Sequence, residues 1–132
     1  MPTQVIVWSH RLHHDTIQIL KGIYDDIVIT EILYHNEDRA KLETEIDTLL
    51  NKLKEDNLLN ERVVLAVPST SIATALVIIG IFRETGLFPD IINLIQFGDG
   101  RHRPIRNNPI ISGQDFWNVH KLGAAQLLNR RR

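Results

Sequence analysis

The chain has 132 residues, of which 43% are hydrophobic, and this is enough for one domain with a buried core. It contains no cysteine, which excludes disulfides and thiolate chemistry and suits a reducing compartment. The longest apolar stretch, residues 72–82, is too short to span a bilayer, and no apolar leader opens the chain. We therefore expect a soluble cytoplasmic protein.

The charge is divided unevenly along the chain. Residues 1–100 hold eight Lys or Arg and fifteen Asp or Glu, a net charge of −7. Residues 101–132 hold seven Lys or Arg and one acid, a net charge of +6. Two interpretations stay open for the basic end, a solvated tail or a patch that meets phosphate.

Apolar runs and helical periodicity alternate from the N-terminus onwards. Runs rich in Val and Ile predict strands over residues 4–10, 25–35, 62–68 and 90–97. The helices predicted between them are a short one capped by Asp15 or Thr16 and ended by Gly22, an amphipathic one within residues 36–57 with Asn36 as a possible cap, and an apolar one over Ser71–Thr85 closed by Gly86.

The alternation of strands and helices predicts an α/β fold. It corresponds to a small Rossmann-like domain with a mainly parallel sheet flanked by helices. The remaining residues predict a Gly-rich turn, a Pro-containing segment that fits only an edge strand or loop, and a final helix from about Gly113.

Polar residues follow all four predicted strands. In an open parallel sheet, ligands bind beyond the carboxyl ends of the strands, near the point where the strand order reverses. The candidate ligand-binding residues that follow the strands are Ser9, His10 and Arg11, then His35, then Ser69, Thr70 and Ser71, and finally Arg101 and Arg103.

The hydroxyl cluster of Ser69, Thr70 and Ser71 stands between a buried strand and the most apolar helix. A helix start offers free N–H groups and a partial positive charge, and hydroxyls add donors for an anion. The alternative is simple helix capping, for which any one of the three would suffice. Because one hydroxyl is enough for a cap, three favour a phosphate ligand.

Other chemical classes find less support in the sequence. It has no GxxxxGK followed by Ser or Thr and no GxGxxG after the first strand, which argues against the usual ATPases and NAD-dependent enzymes. His10 and His13 have an HxxH spacing, but a zinc site needs a third ligand, so we expect no metal and no cofactor.

The remaining histidines and arginines are interpreted by their position. His10, beside Ser9, either donates to a phosphate oxygen and assists proton transfer or has a structural role, whereas His13 and His14 are expected at the surface. Arg101 and Arg103 belong to the Gly-flanked turn, and their guanidinium groups suit phosphate because they can form two parallel hydrogen bonds to it. Arg83, near the far end of its helix, is expected in solvent or paired with the helix C-terminus.

The order of these features resembles a known family. The first strand ends in Ser9-His10-Arg11-Leu12, "VPSTSIATALVI" leads from a strand into an Ala-rich helix, "GLFPDI" follows, and a basic helix ends in arginines. In this order the chain resembles the small stand-alone CRISPR-associated family called Csx-fifteen, relatives of the CARF (CRISPR-associated Rossmann fold) proteins. The resemblance covers nearly the whole chain and is most specific from Pro68 to Ile91.

The resemblance implies a single CARF-like domain over residues 1–132 that forms a homodimer, with further assembly on the ligand as an option. The implied ligand is cyclic oligoadenylate, foremost cyclic tetra-adenylate, the second messenger of type III CRISPR antiviral defence. No long nucleic acid and no membrane partner are expected.

The resemblance also implies two outcomes for the bound ring. Either the protein is a slow, metal-independent ring nuclease that damps the signal, or it binds the ring without cleaving it. Cleavage would proceed by attack of a ribose 2′-OH on the adjacent phosphate, which needs positioning and charge stabilisation more than a strong base. The implied catalytic residues are Ser9, His10, Ser69 and Thr70, with Arg101 or Arg103 neutralising the phosphate.

One departure from the family pattern bears on the rate of cleavage. Several CARF ring nucleases have a lysine after these strand ends, and this chain has none there. A phosphate-ligand-binding regulator unrelated to CRISPR remains a further alternative.

Overall fold

The structure is a computed structural model that describes residues 2–9, 11–34, 38–59, 62–68, 70–96, 102–105 and 107–119. The described strands are β1 (Thr3–Trp8), β2 (Ile27–Ile32), β3 (Val63–Ala66), β4 (Asp90–Ile92), β5 (Leu94–Gln96), β6 (His102–Pro104) and β7 (Ile110–Ser112). The helices are α1 (His14–Ile23), α2 (Leu42–Glu55), α3 (Ser71–Thr85) and α4, described over residues 113–119, with a 3₁₀ turn at Arg39–Lys41.

Five of the described strands form one sheet in the order β2-β1-β3-β4-β7. The first four run parallel, and β7 pairs antiparallel with β4 at the edge. The predicted α/β fold with a mainly parallel sheet flanked by helices is therefore confirmed, and its strand order is compatible with a Rossmann-like arrangement. The predicted edge segment before the final helix is also confirmed, as β7.

The two faces of the sheet carry separate apolar cores because side chains alternate along each strand. Val5 and Val7 of β1 pack with Leu20 of α1 on one face. Ile6 and Trp8 of the same strand pack with α2 and α3 on the other face. Each fully buried side chain of this size contributes roughly 1.5–3 kcal/mol relative to exposure, so both helical layers are held mainly by apolar burial.

Helix α3 has the bounds that the sequence predicts. Its end is fixed by Gly86, whose φ of 75° lies in the left-handed region that a glycine adopts without a steric penalty. Helix α2 is amphipathic, as predicted, and buries Leu42, Ile46 and Leu50 against the sheet and α3. Asn36, the predicted cap of α2, lies outside the described residues.

The ends of β1 and α1 differ from the prediction. Strand β1 stops at Trp8 because Ser9 has a positive φ. The cap of α1 is His13, so the prediction of Asp15 or Thr16 was wrong, and the helix continues through Gly22 to Ile23. Thr16 instead lies fully buried within the first turn of α1.

The predicted fourth strand, residues 90–97, is two strands separated by Asn93. The Asn93 N–H still donates to the carbonyl of Pro109 in the β4–β7 register, and its side-chain amide donates to the carbonyl of Asn108, whereas its own carbonyl accepts from the Ile105 N–H just after β6. Beyond it, β5 pairs antiparallel with β6. Arg103 is therefore in a strand, and its predicted location in a turn was wrong.

None of the helices in the described part of the chain is long and apolar enough to cross a membrane.

Candidate functional site

The order of the central strands reverses between β1 and β3. These strands are parallel neighbours, with Val7 opposite Ala66. The chain leaves β1 into α1 on one face of the sheet and leaves β3 into α3 on the other. A crevice beyond the carboxyl ends of two such strands is the usual ligand position in this architecture. Ser9 and Pro68, each two residues beyond the Val7–Ala66 pair, stand at this position.

Ser9 adopts a conformation that is uncommon for a residue other than glycine. Its φ is 66°, its N–H donates to the carbonyl of Ile32 at 2.8 Å, and its hydroxyl donates to the carbonyl of Tyr34 at 2.8 Å. The left-handed backbone costs roughly 1–2 kcal/mol, and these two bonds hold it in place. Strained positions of this kind cluster at functional sites. Through its two hydrogen bonds, Ser9 connects the end of β1 to the end of β2 and the segment that follows it.

Thr70 caps α3. Its hydroxyl accepts a hydrogen bond from the N–H of Ala73 at 3.4 Å. The capping interpretation of the hydroxyl cluster is therefore realised at this residue. Ser71 is exposed as the first residue of α3, where its side chain is not needed for the cap.

The first turn of α3 has the electrostatic character that an anion favours. Ser71 and Ile72 are the first two residues of the helix, and their N–H groups have no partner within it. The first turn contains no acidic residue. The partial positive charge of the helix start is therefore not opposed by a nearby side chain of this turn.

The first turn of α1 is less suited to an anion. The Asp15 N–H donates to Nδ1 of His13 at 3.3 Å, and the Asp15 carboxylate lies 3.4 Å from the same nitrogen. This carboxylate repels a phosphate. His13 lies partly exposed at the surface, where it caps α1, and His14 is exposed as expected.

A second polar contact near the site was missed from the sequence. Tyr34, which follows β2, donates its hydroxyl to the Glu45 carboxylate at 2.6 Å and meets the ring of Trp8 edge-on at 6.4 Å. Glu45 lies on α2, the helix to which the sequence assigned no chemistry. In the sequence, Tyr34 lay within the predicted strand over residues 25–35, and no signal indicated which carboxylate would be its partner.

Arg11, Arg103 and Arg83 differ in their burial and in their carboxylate partners. Arg11 is mostly exposed and lies 3.5 Å from the Glu31 carboxylate, so its charge is partly neutralised within the protein. Arg103 is half-buried on β6, a strand that contacts α1. Arg83 lies near the far end of α3, as predicted, but it pairs with Asp47 on α2 and with Glu84, two partners that the sequence analysis did not predict.

Four candidate residues, His10, His35, Ser69 and Arg101, lie outside the described residues. The described candidates at the strand ends are Ser9 and Arg11 after β1 and Thr70 and Ser71 after β3. Within the described ranges, no group of three His, Asp or Glu side chains could hold a metal ion.

No protein-family model, curated protein or solved structure matches this chain.

Proposed function

We propose that the protein is a cytoplasmic CARF-like domain that binds cyclic oligoadenylate, foremost cyclic tetra-adenylate, as a homodimer. The observation that carries the proposal is the start of α3, which follows β3 at the same edge of the sheet as Ser9 after β1. Ser71 and Ile72 offer free N–H groups there, and no acid opposes a phosphate in this turn. A cyclic ligand of four repeats suits a two-fold protein, because each contact is then made twice.

We further propose that the bound ring is cleaved slowly without metal, which would damp type III CRISPR signalling. A ribose 2′-oxygen forms a bond to the adjacent phosphorus while the bond to the 5′-oxygen breaks. The 2′-OH loses its proton, the 5′-oxygen gains one, and the product is linear with a 2′,3′-cyclic phosphate. Ser9, Thr70 and the neighbouring His10 and Ser69 would orient the scissile phosphate, and Arg101 or Arg103 would stabilise its charge.

Binding without cleavage is the second candidate, and a specific observation favours it. The Ser9 hydroxyl already donates to the Tyr34 carbonyl, and the Thr70 hydroxyl already accepts from Ala73. Two of the proposed catalytic hydroxyls thus hold the local backbone. A protein of this kind would sequester the messenger.

One incubation distinguishes these candidates. The protein is mixed with labelled cyclic tetra-adenylate in the presence of EDTA, and both retention and products are followed. Retention with a linear product supports the nuclease, and retention of intact ring supports sequestration. If rings of three to six adenylates all fail to bind, the proposal is wrong.

The contribution of α3 is tested by Ser71→Asp. An acid at the first position stabilises a helix but repels a phosphate, so affinity should fall by about tenfold or more while the fold remains intact. Gln18→Glu, on the exposed middle of α1, adds the same charge away from the helix start and serves as the control. Equal losses for both variants would argue against binding at α3.

A further inference from the structure

Helix α3 is apolar on its outer face as well as on its inner one. Ala73, Val77 and Ile81 are buried against the core. On the opposite side, Ile72 and Ile79 are 55% and 61% exposed. No charged residue occurs from Ser71 through Phe82. A helix that is hydrophobic all round is normally covered on both sides.

The outer stripe of α3 continues onto neighbouring segments. The ring of Phe82 stacks on Phe88 with centroids 4.3 Å apart, and Phe88 contacts Trp117 of α4 at 5.5 Å. Trp117 is 48% exposed, and Leu87, which precedes Phe88 in the chain, is 39% exposed. We call this surface the α3 face, and it comprises Ile72, Ile79, Phe82, Leu87 and Trp117.

We propose that the α3 face is the surface through which two copies of this chain associate. If a large apolar side chain exposes about 200 Å² when free, the exposed parts of this face amount to roughly 500 Å² per copy. The smallest specific interfaces bury about 600 Å² per partner, so the face plus a polar rim reaches the size of a dimer interface.

The charges select a second copy as the occupant. An uncharged face that meets itself across a two-fold axis brings no like charges together. The nearest cation on α3, Arg83, is already paired with Asp47 and Glu84, so it does not repel its equivalent strongly. A membrane surface fits less well, because the five residues of the α3 face include no cation that anionic lipids would attract.

This inference adds a dimer surface to the proposed function. Only the statement about a ring ligand that contacts both copies rests on that function. Helix α3 begins at the crevice and extends away from it. A two-fold axis directed along α3 would therefore place both crevices at the same end of the dimer. One ring could then contact both copies.

The experiment is sedimentation of the full chain without ligand, over a range of concentrations. The wild type should be a dimer, and Ile79→Glu should raise the dimer dissociation constant by at least about tenfold. The introduced carboxylate lies on the exposed side of α3 four residues before the cation Arg83, a spacing that does not weaken the helix itself. Ile72→Glu tests the same face in the first turn, where an acid is favourable for the helix. Circular dichroism checks that both variants are folded.

The matched control is Ile19→Lys on α1, on the other side of the sheet. Ile19 is also exposed, and the introduced ammonium group would pair with Asp15 four residues earlier. The control should remain a dimer. A monomeric wild type, folded Ile79→Glu and Ile72→Glu variants that stay dimeric, or a control that dissociates as readily would each overturn the proposal. Because no ligand is present, failure here is distinct from failure to bind cyclic tetra-adenylate.

Discussion

Thr70 and Ser71 are neighbouring hydroxyl residues with different roles at the start of α3. Thr70→Ala removes the acceptor of the Ala73 N–H and should lower the free energy of unfolding by about 0.5–1 kcal/mol, since this bond of 3.4 Å is at the weak end of its class. Ser71→Ala leaves the cap in place and should change stability by less than about 0.5 kcal/mol. Urea unfolding measures both, and equal losses would contradict the assignment of the cap to Thr70.

The residues at the strand ends show how far side-chain roles follow from sequence. Capping by one of the three hydroxyls was the alternative interpretation of the sequence, because Ser and Thr are both common caps, but no pattern singled out Thr70. The positive φ of Ser9 was not foreseen, because only Gly takes that conformation readily and the bonds that hold it are made to Ile32 at the end of β2 and to Tyr34 beyond it. His13 as a cap was missed because Asp and Thr are preferred there and stood close by.

At the scale of elements, periodicity predicted helices well and strand ends poorly. The bounds of α3 follow from its apolar run and from Gly86, which are local signals. At Asn93, between β4 and β5, the backbone bonds to Pro109 on the β7 side and to Ile105 on the β6 side, and no local pattern encodes this change of partner. The end of a strand is thus a tertiary property, whereas the end of α3 is a property of its own sequence.

Two helical glycines should respond to alanine with opposite signs. A Cβ at Gly80 of α3 would overlap Cδ1 of Leu50, which is buried on α2, so Gly80→Ala should destabilise the protein by about 1–3 kcal/mol. A Cβ at Gly22 of α1 meets nothing within 4 Å, and Gly22→Ala should stabilise by up to about 1 kcal/mol. Chemical unfolding of both variants checks this, and a stabilised Gly80→Ala would show that α2 and α3 pack less closely.

The pairing of α2 with α3 should make stability depend on acid pH. The hydrogen bond from Lys54 at 2.8 Å, followed by that from Arg83, holds the pKa of the Glu84 carboxyl below its ordinary value. The unfolded chain then binds this proton more readily, so the stabilisation is present above the ordinary pKa of Glu and is lost as the pH falls through the folded value.

Glu84→Gln removes this titration, so its free energy of unfolding should fall less steeply than that of the wild type between about pH 5 and pH 3. Glu43→Gln, on an exposed position of α2, makes the same charge change away from the Lys54–Glu84 bridge and serves as the control. Unfolding in urea at several pH values provides the measurement. Identical slopes for all three proteins would indicate that the bridge from Lys54 does not persist in solution.

At the scale of the whole molecule, the crevice and the α3 face share one helix. In the two proposals, the N–H groups of the first residues of α3 would bind a phosphate, while its exposed apolar side chains would contact a second copy. A dimer built this way would hold the two helix starts in a fixed relation before any ligand arrives. That arrangement lowers the ordering cost of binding a ring that contacts both copies.

Binding should therefore appear as a change in thermal stability that reports both occupancy and chemistry. Cyclic tetra-adenylate at 100 times its dissociation constant, with EDTA, should add about 2.7 kcal/mol to the stability, which raises the melting temperature by several degrees for a chain of this size. Linear tetra-adenylate is the control and should give a smaller shift, because it is not constrained to the two-fold arrangement. The same measurement distinguishes cleavage from sequestration. If the protein cleaves the ring, the shift measured after increasing times of incubation should decay towards that of the linear control. If it only sequesters the ring, the shift should persist, and equal initial shifts for ring and linear ligand would argue against a site shaped for a ring.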